Sequence, residues 1–240
     1  MADTKKKVLI ACPTEGLIPS AAYDNHMEFM FHLGKIEKDT PYKFHWGTVG
    51  GVFTPLAREK ICEYGVDAGM DYIFMFDDDM ILPMDCLERL LEDDVDIVAP
   101  LAFMKRPPHY PVIFAQRSGF DGSRPWFSTH NVQNYPKDTL FQCDAVGFGG
   151  VLIKADVIKR MQKPYFMSTC GTGEDLLFCF NARNQAGAKT YVDTRVKLGH
   201  LAARTKVIDE KLYEEVNRVD EIRDKLGDWS MEKKESNLVA

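Results

Sequence analysis

Residues 71–83 read DYIFMFDDDMILP, and the rest of the chain takes its meaning from them. Ile73 to Phe76 form a wholly apolar run, far too short for a membrane span. Runs of this kind are the mark of a strand buried on both faces of a parallel sheet. The run empties directly into Asp77, Asp78 and Asp79. In open α/β sheets, ligands bind at the carboxyl ends of the strands. Three adjacent carboxylates repel one another unless positive charge sits among them. A hard divalent cation, held through oxygen and shared with substrate phosphates, meets that need; an acidic turn left in solvent is the alternative.

Upstream, Lys7 to Cys12 is a β-favouring strand closed by the turn residues Pro13-Thr14-Glu15-Gly16. A first strand opening into a polar turn is a common start for a nucleotide-binding sheet, so Thr14 and Glu15 are candidate nucleotide contacts. Ala21 to Ile36 places Met27, Phe29, Met30, Leu33 and Ile36 at near-helical spacing. Tyr42 to Trp46 reads as a second strand and Gly47 to Gly51 as a loop. Thr54-Pro55 predicts a helix start, with Thr as N-cap and Pro at the first helical position. The helix runs to about Ala68, with Leu56, Ile61, Tyr64 and Ala68 on one face. Arg58 in its first turn reads either as a surface residue or as a phosphate contact near the acids.

Downstream, Asp85-x-x-Glu88 has the form of a capping box opening a short helix with Leu87, Leu90 and Leu91. Val95 to Ala99 predicts the next strand, ended by Pro100. The alternation over residues 7–100 argues for an α/β fold: a mostly parallel central sheet with helices on both faces, in one domain. Residues 101–140 lose this regularity. Lys105, Arg106 and His109 in their proline-stiffened stretch are candidates to face a sugar, a phosphate or another chain, since loops this long are usually functional; an ordinary ordered excursion is the alternative.

Asp144 to Ile153 is a glycine-containing apolar strand, where Gly149 and Gly150 permit either close approach of a ligand or a bulge. Ala155 to Met161 is a short helix. Gly171-Thr172-Gly173 leads into Glu174-Asp175, which open a helix closed by Gly187. Acids there also serve the helix dipole alone. Lys189 to Asp193 is a strand followed by His200, and a single His is more often a structural hydrogen-bonder than a ligand. Val207 to Leu226 predicts a charged amphipathic helix, and the tail after Gly227 is polar.

At 240 residues, with 45% apolar and 28% charged positions, the composition is that of an ordinary globular protein. A net charge of −6 argues against a general nucleic-acid or anionic-membrane surface. Lys5-Lys6-Lys7 is followed by no apolar core or cleavage site of a signal peptide, and no run is long enough for a transmembrane helix. The six cysteines are scattered with no C-x-x-C pair, which reads as reduced core thiols of a cytoplasmic protein.

In order and spacing, these motifs resemble the GT-A glycosyltransferases, most nearly the family 2-like branch with its small viral and bacterial forms. The resembling features are a strand ending in Asp77-x-Asp79, a glycine-rich strand at 147–150, Gly173-Glu174-Asp175 opening a helix, and His200 downstream. The resemblance implies a catalytic domain over residues 1–202, with a nucleotide-sugar half at about 5–100 and an acceptor half at 101–202. A C-terminal helix and tail follow at 203–240. It further implies Mn²⁺ or Mg²⁺ bound by Asp79 and His200, with Asp77 contacting the ribose or a metal-bound water and Asp78 between them. Asp175 would be the general base, Glu174 an acceptor-binding or orienting residue, and Arg58 a residue near the nucleotide. A site with one base suits inversion. Trp46 to Val49 lacks the acid that commonly reads the nucleobase, so the donor is left open. So is the acceptor: a glycan, a lipid-linked sugar, a protein, a small molecule or a modified nucleobase. The rival readings are a haloacid dehalogenase-like phosphohydrolase using Asp77 and Asp79, a sugar-nucleotide pyrophosphorylase, and a non-catalytic binding module.

Overall fold

The computed structural model describes residues 5–120, 125–169, 172–202 and 206–226. The expectations placed on Cys170, on Gly171 and on the tail from Gly227 lie outside these residues. In chain order, β1 (Lys6–Thr14), α1 (Ser20–Ile36), β2 (Tyr42–Gly50), α2 (Thr54–Asp67), β3 (Tyr72–Phe76) and β4 (Met80–Ile81) lead to the acidic turn and past it. Then come α3 (Cys86–Glu92), β5 (Ile97–Leu101), β6 (Ile113–Phe120), β7 (Pro125–Asn131), β8 (Leu140–Cys143) and β9 (Ala145–Val146). The chain continues through β10 (Gly150–Lys154), α4 (Ala155–Arg160), α5 (Glu174–Ala186), β11 (Thr190–Lys197), β12 (Gly199–Ala202), β13 (Lys206–Ile208) and α6 (Glu210–Leu226).

The central sheet has seven strands in the order β2-β1-β3-β10-β5-β11-β8. Strands β2, β1 and β3 are parallel, and so are β5 and β11. Both β3 and β5 run against β10, so five strands share one direction, while β10 and β8 oppose it. All five residues of β3 are buried, as its unbroken apolar run requires. Ile73 and Met75 pack with Ile61, Val157 and Phe178 beneath α2, α4 and α5. Phe74 and Phe76 pack with Phe29, Leu33, Leu87 and Leu90 beneath α1 and α3. The two cores lie on opposite faces of one sheet. Each large apolar side chain fully buried there contributes about 1.5–3 kcal/mol of transfer free energy.

Several local expectations are corrected. Strand β2 runs on to Gly50 because its pairing with β1 continues through Thr14. Pro100 lies inside β5, opposite Asp193 of β11. The irregular stretch after residue 101 contains an antiparallel pair, β6 with β7, and β6 also pairs with β9. The predicted strand at 144–153 is two strands, β9 and β10. Asp85 makes no side-chain cap bond; its carboxylate accepts from Arg89 Nε at 2.6 Å instead. Residues 207–208 belong to β13, so the last helix starts at Glu210. That helix is anchored by Glu210, which pairs with Lys137 and Lys197 at 2.6 Å each, and by a stack of Tyr213 on Phe103. Among the described residues, no helix is long and apolar enough to cross a membrane.

One buried acid pair gives the fold a pH signature. Asp193 is fully buried, Asp93 nearly so, and both lean on Arg195. Burial pushes the Asp93 carboxyl up to about 6, with Asp193 adding to the effect and Arg195 opposing it. A carboxyl whose folded value lies above its unfolded value, about 3.9, contributes stability below that unfolded value and loses it as pH rises through 6. Asp93→Asn therefore should gain on the parent protein in melting temperature as pH is raised from about 4 to 7. Parallel melting curves for the two proteins across that range would contradict the assignment.

Candidate active site

The acidic turn is built by pairing on both sides. The Asp77 amide donates to the Gly149 carbonyl at 3.1 Å, extending the β3–β10 ladder, and the Met80 amide closes the turn on Asp77 O at 3.2 Å. Beyond the turn, α1 grips the chain: Asn25 makes two bonds with the Leu82 backbone, and His26 meets Met80 O at 2.8 Å. Strand β12 pairs antiparallel with β4, with His200 opposite Met80 and the Leu201 amide donating to Asp79 O. This register brings a histidine more than a hundred residues downstream against the acids.

Each acid has its own partner. Asp78 Oδ2 accepts from Thr14 Oγ1 at 2.6 Å, and Thr14 Oγ1 in turn accepts from the Gly16 amide. Asp77 Oδ1 accepts from Arg58 Nη2 at 2.7 Å, while Arg58 Nη1 donates to Glu174 Oε1 at 2.7 Å and Nη2 also reaches Phe148 O. Asp79 Oδ2 is in contact with the Lys105 ammonium group, and its Oδ1 faces His200 Nε2 at 3.4 Å. Part of the positive charge that the acids require is thus supplied by the chain itself.

Arg58 is only 3% exposed, which excludes its reading as a surface residue. The buried face of α2 carries Ala57, Arg58, Ile61, Cys62 and Gly65, whereas Leu56 and Tyr64 of the predicted face are exposed. The N-cap of this helix is Phe53, one residue before the expected Thr54. Burial opposes charge on Arg58, but Asp77 and Glu174 outweigh it and hold the guanidinium ionised.

The carboxyls are driven apart by their surroundings. Burial raises Asp77 above the ordinary carboxylate range even with Arg58 beside it. Burial also acts to raise Asp79, yet His200 and Lys105 prevail and hold it below that range. Asp175 is raised by burial, with Arg58 opposing, and its Oδ1 accepts from the Leu176 amide at 2.8 Å. A proton acceptor needs such an elevated affinity for protons.

Two compartments meet at these residues. One, of about 970 Å³, is lined by the loop after β1, including Thr14, Glu15 and Ser20, and by Asp78. The other, of about 560 Å³, holds Arg58, Phe148, Gly149, Glu174, Asp175 and His200. Thr54, Asp77, Asp79 and Lys105 border both. Two candidates stand elsewhere. A side chain at Gly150 would meet Leu198 and Pro100, so this glycine serves strand packing. His109 is buried with Nδ1 on Met104 O. Phe53, Thr54 and Ser20 line these compartments without having been site candidates in the sequence, where their only signal was their place at helix starts.

A divalent cation can be tested against this geometry. His200 Nδ1 lies 2.8 Å from the Phe103 carbonyl, which only accepts, so Nδ1 carries the proton. Nε2 faces Asp79 Oδ1, an oxygen buried from solvent, at 3.4 Å; the N–H there favours the ionised carboxylate, and without that proton Nε2 would present a lone pair toward the same oxygen. Two electron-pair donors facing each other fit a cation between them, and the Nδ1 bond is the kind that orients a ligating His. Among the described residues there is no cluster of three or more His, Cys, Asp or Glu disposed around an ion. Mg²⁺-type sites typically use one or two carboxylates and leave other positions to phosphates and water, so Asp79 with His200 fits such an ion.

The bridge through Arg58 is open to a direct test. Arg58→Ala leaves Asp77 and Glu174 half-buried and unpaired, and should cost about 3–5 kcal/mol in denaturant unfolding. Arg58→Lys should recover only part, because an ammonium group cannot span two carboxylates as a planar fork does. A loss below about 1 kcal/mol, the scale of a surface pair, would refute the bridge.

No family model and no curated protein matches the chain. Among solved structures, it is similar to A197 from STIV, with a TM-score of 0.58 and 13% identity over 85% of this chain and 91% of that one. UDP-glucose pyrophosphorylase complexed with UDP-glucose gives a TM-score of 0.48 and 8% identity, over 91% of this chain and all of that one. The catalytic domain of Drosophila beta1,4galactosyltransferase 7, complexed with xylobiose, gives 0.44 and 16%, over 88% and 79%. The first likeness bears on the fold alone; the other two, below 0.5, bear on nothing further.

Proposed function

We propose that the protein is a metal-assisted glycosyltransferase that moves a sugar from a nucleotide-sugar to an acceptor hydroxyl, with Asp175 as general base. One observation carries the reading. Two compartments meet along Asp77 and Asp79, and Asp175 borders only one of them. The donor's nucleoside takes the larger compartment beside Thr14 and Glu15, and the acceptor takes the smaller. Asp79 and His200 would hold Mn²⁺ or Mg²⁺, which supplies charge neutralisation to the departing diphosphate. Lys105, at the seam, adds a mobile positive charge beside the same oxygens. Asp175 accepts the acceptor's hydroxyl proton as the new glycosidic bond forms, and Arg58 fixes Glu174 beside it. With a single base the transfer inverts the anomeric centre.

A phosphohydrolase would require Asp79 to deliver a proton while Asp77 attacks phosphorus. Lys105 and His200 favour the ionised form of Asp79, which makes it a poor proton donor.

Two variants separate binding from chemistry. By calorimetry, Asp79→Ala should lose Mn²⁺-dependent binding of nucleoside diphosphates, and Asp175→Asn should keep it. In a transfer assay, Asp175→Asn should fall by roughly 10²–10⁴-fold, the usual worth of a general base. Because burial raises the Asp175 carboxyl, the parent's rate should fall with pH through a value above the ordinary carboxylate range. Full transfer by Asp175→Asn, or unchanged Mn²⁺-dependent binding by Asp79→Ala, would sink the reading.

A further inference from the structure

Phe53 breaks two local rules at once. It is the N-cap of α2, where Ser, Thr, Asp and Asn serve best and a large apolar side chain offers nothing to the free amides. It is also 72% exposed and lines the compartment that holds Asp175. The backbone beneath it is fixed, since the Phe53 carbonyl accepts from the amides of Leu56 at 2.9 Å and Ala57 at 3.1 Å. Violations of local preference without local compensation concentrate at functional sites. An aromatic ring on a fixed backbone offers a large contact area with little conformational freedom to lose.

We propose that Phe53 is the platform on which a sugar ring of the acceptor stacks its apolar C–H face, a role that rests on the acceptor compartment assigned above. Phe53 precedes Arg58 by five residues, about 7.5 Å along the helix axis. Arg58 is bonded to Glu174, so the helix that Phe53 caps is tied to the carboxylate side of the compartment. The same compartment is lined by Glu174, Asp175 and Arg106. Carboxyl oxygens and a guanidinium favour a ring edged all round with hydroxyls, and an aromatic ring offers none. Phe53 borders this compartment and not the larger one, so it acts on acceptor and not on donor.

The test uses the full chain, saturation-transfer NMR, and the methyl glycosides of glucose, galactose and mannose, with benzyl alcohol as the aromatic alternative. Thermal shift by nucleoside diphosphates with Mn²⁺ monitors the other compartment independently. Saturation should reach the C–H protons of at least one glycoside, whose affinity should fall roughly tenfold in Phe53→Ala and persist in Phe53→Trp. The nucleotide shift should be the same in all three proteins. If Phe53→Ala does not fold, Phe53→Leu, which keeps bulk without a ring, takes its place. The inference is overturned if no glycoside receives saturation, if benzyl alcohol alone does, or if the ring-less variant binds as the parent does. Phe53-dependent glycoside binding without any nucleotide shift would support the platform while removing the transfer reading.

Discussion

The arrangement depends on one buried guanidinium. Arg58 reaches from α2 to Asp77 at the end of β3 and to Glu174 at the start of α5. Three elements that approach the sheet edge from different parts of the chain are thereby held in one register. The cost of burying this charge is met only because two carboxylates and the Phe148 carbonyl surround it. Asp175, next to Glu174, inherits its position from that bridge.

Around this point the chain solves the problem of three adjacent acids in three ways. A hydroxyl serves Asp78, a buried guanidinium serves Asp77, and an exposed ammonium with an imidazole serves Asp79. The differences matter because they separate affinities for protons: Asp77 and Asp175 are raised, and Asp79 is lowered. Acids with opposed shifts in one cleft can divide their roles. Only at Asp79 is the partner a flexible side chain, so that carboxylate is the one a cation can claim with least disturbance.

The parts of this design that are local were legible in the sequence. The apolar run of β3, its acidic exit, and α5 with Gly187 in the left-handed conformation, φ 64°, all follow from short-range rules. Where distant residues decide, the reading failed. Leu56 and Tyr64 gave α2 the wrong inner face because a charged residue, Arg58, occupies the true one. Gly47 and Gly50 suggested a loop, yet pairing with β1 keeps the strand extended. An apolar strand gives no sign of its direction, so the reversal of β10 between β3 and β5 was invisible. His200 could be placed beside Asp79 only through the pairing of β12 with β4.

If, as we propose, a donor and an acceptor meet over Asp77 and Asp79 from opposite compartments, a crystal structure with a nucleoside diphosphate and Mn²⁺ should show it. The nucleoside should lie against Thr14 and Ser20, the ion between Asp79 and His200 Nε2, and the Lys105 ammonium group should have shifted from Asp79 toward phosphate. A nucleotide seated in the compartment of Asp175, or bound while Lys105 keeps Asp79 and no ion joins it, would rule the arrangement out.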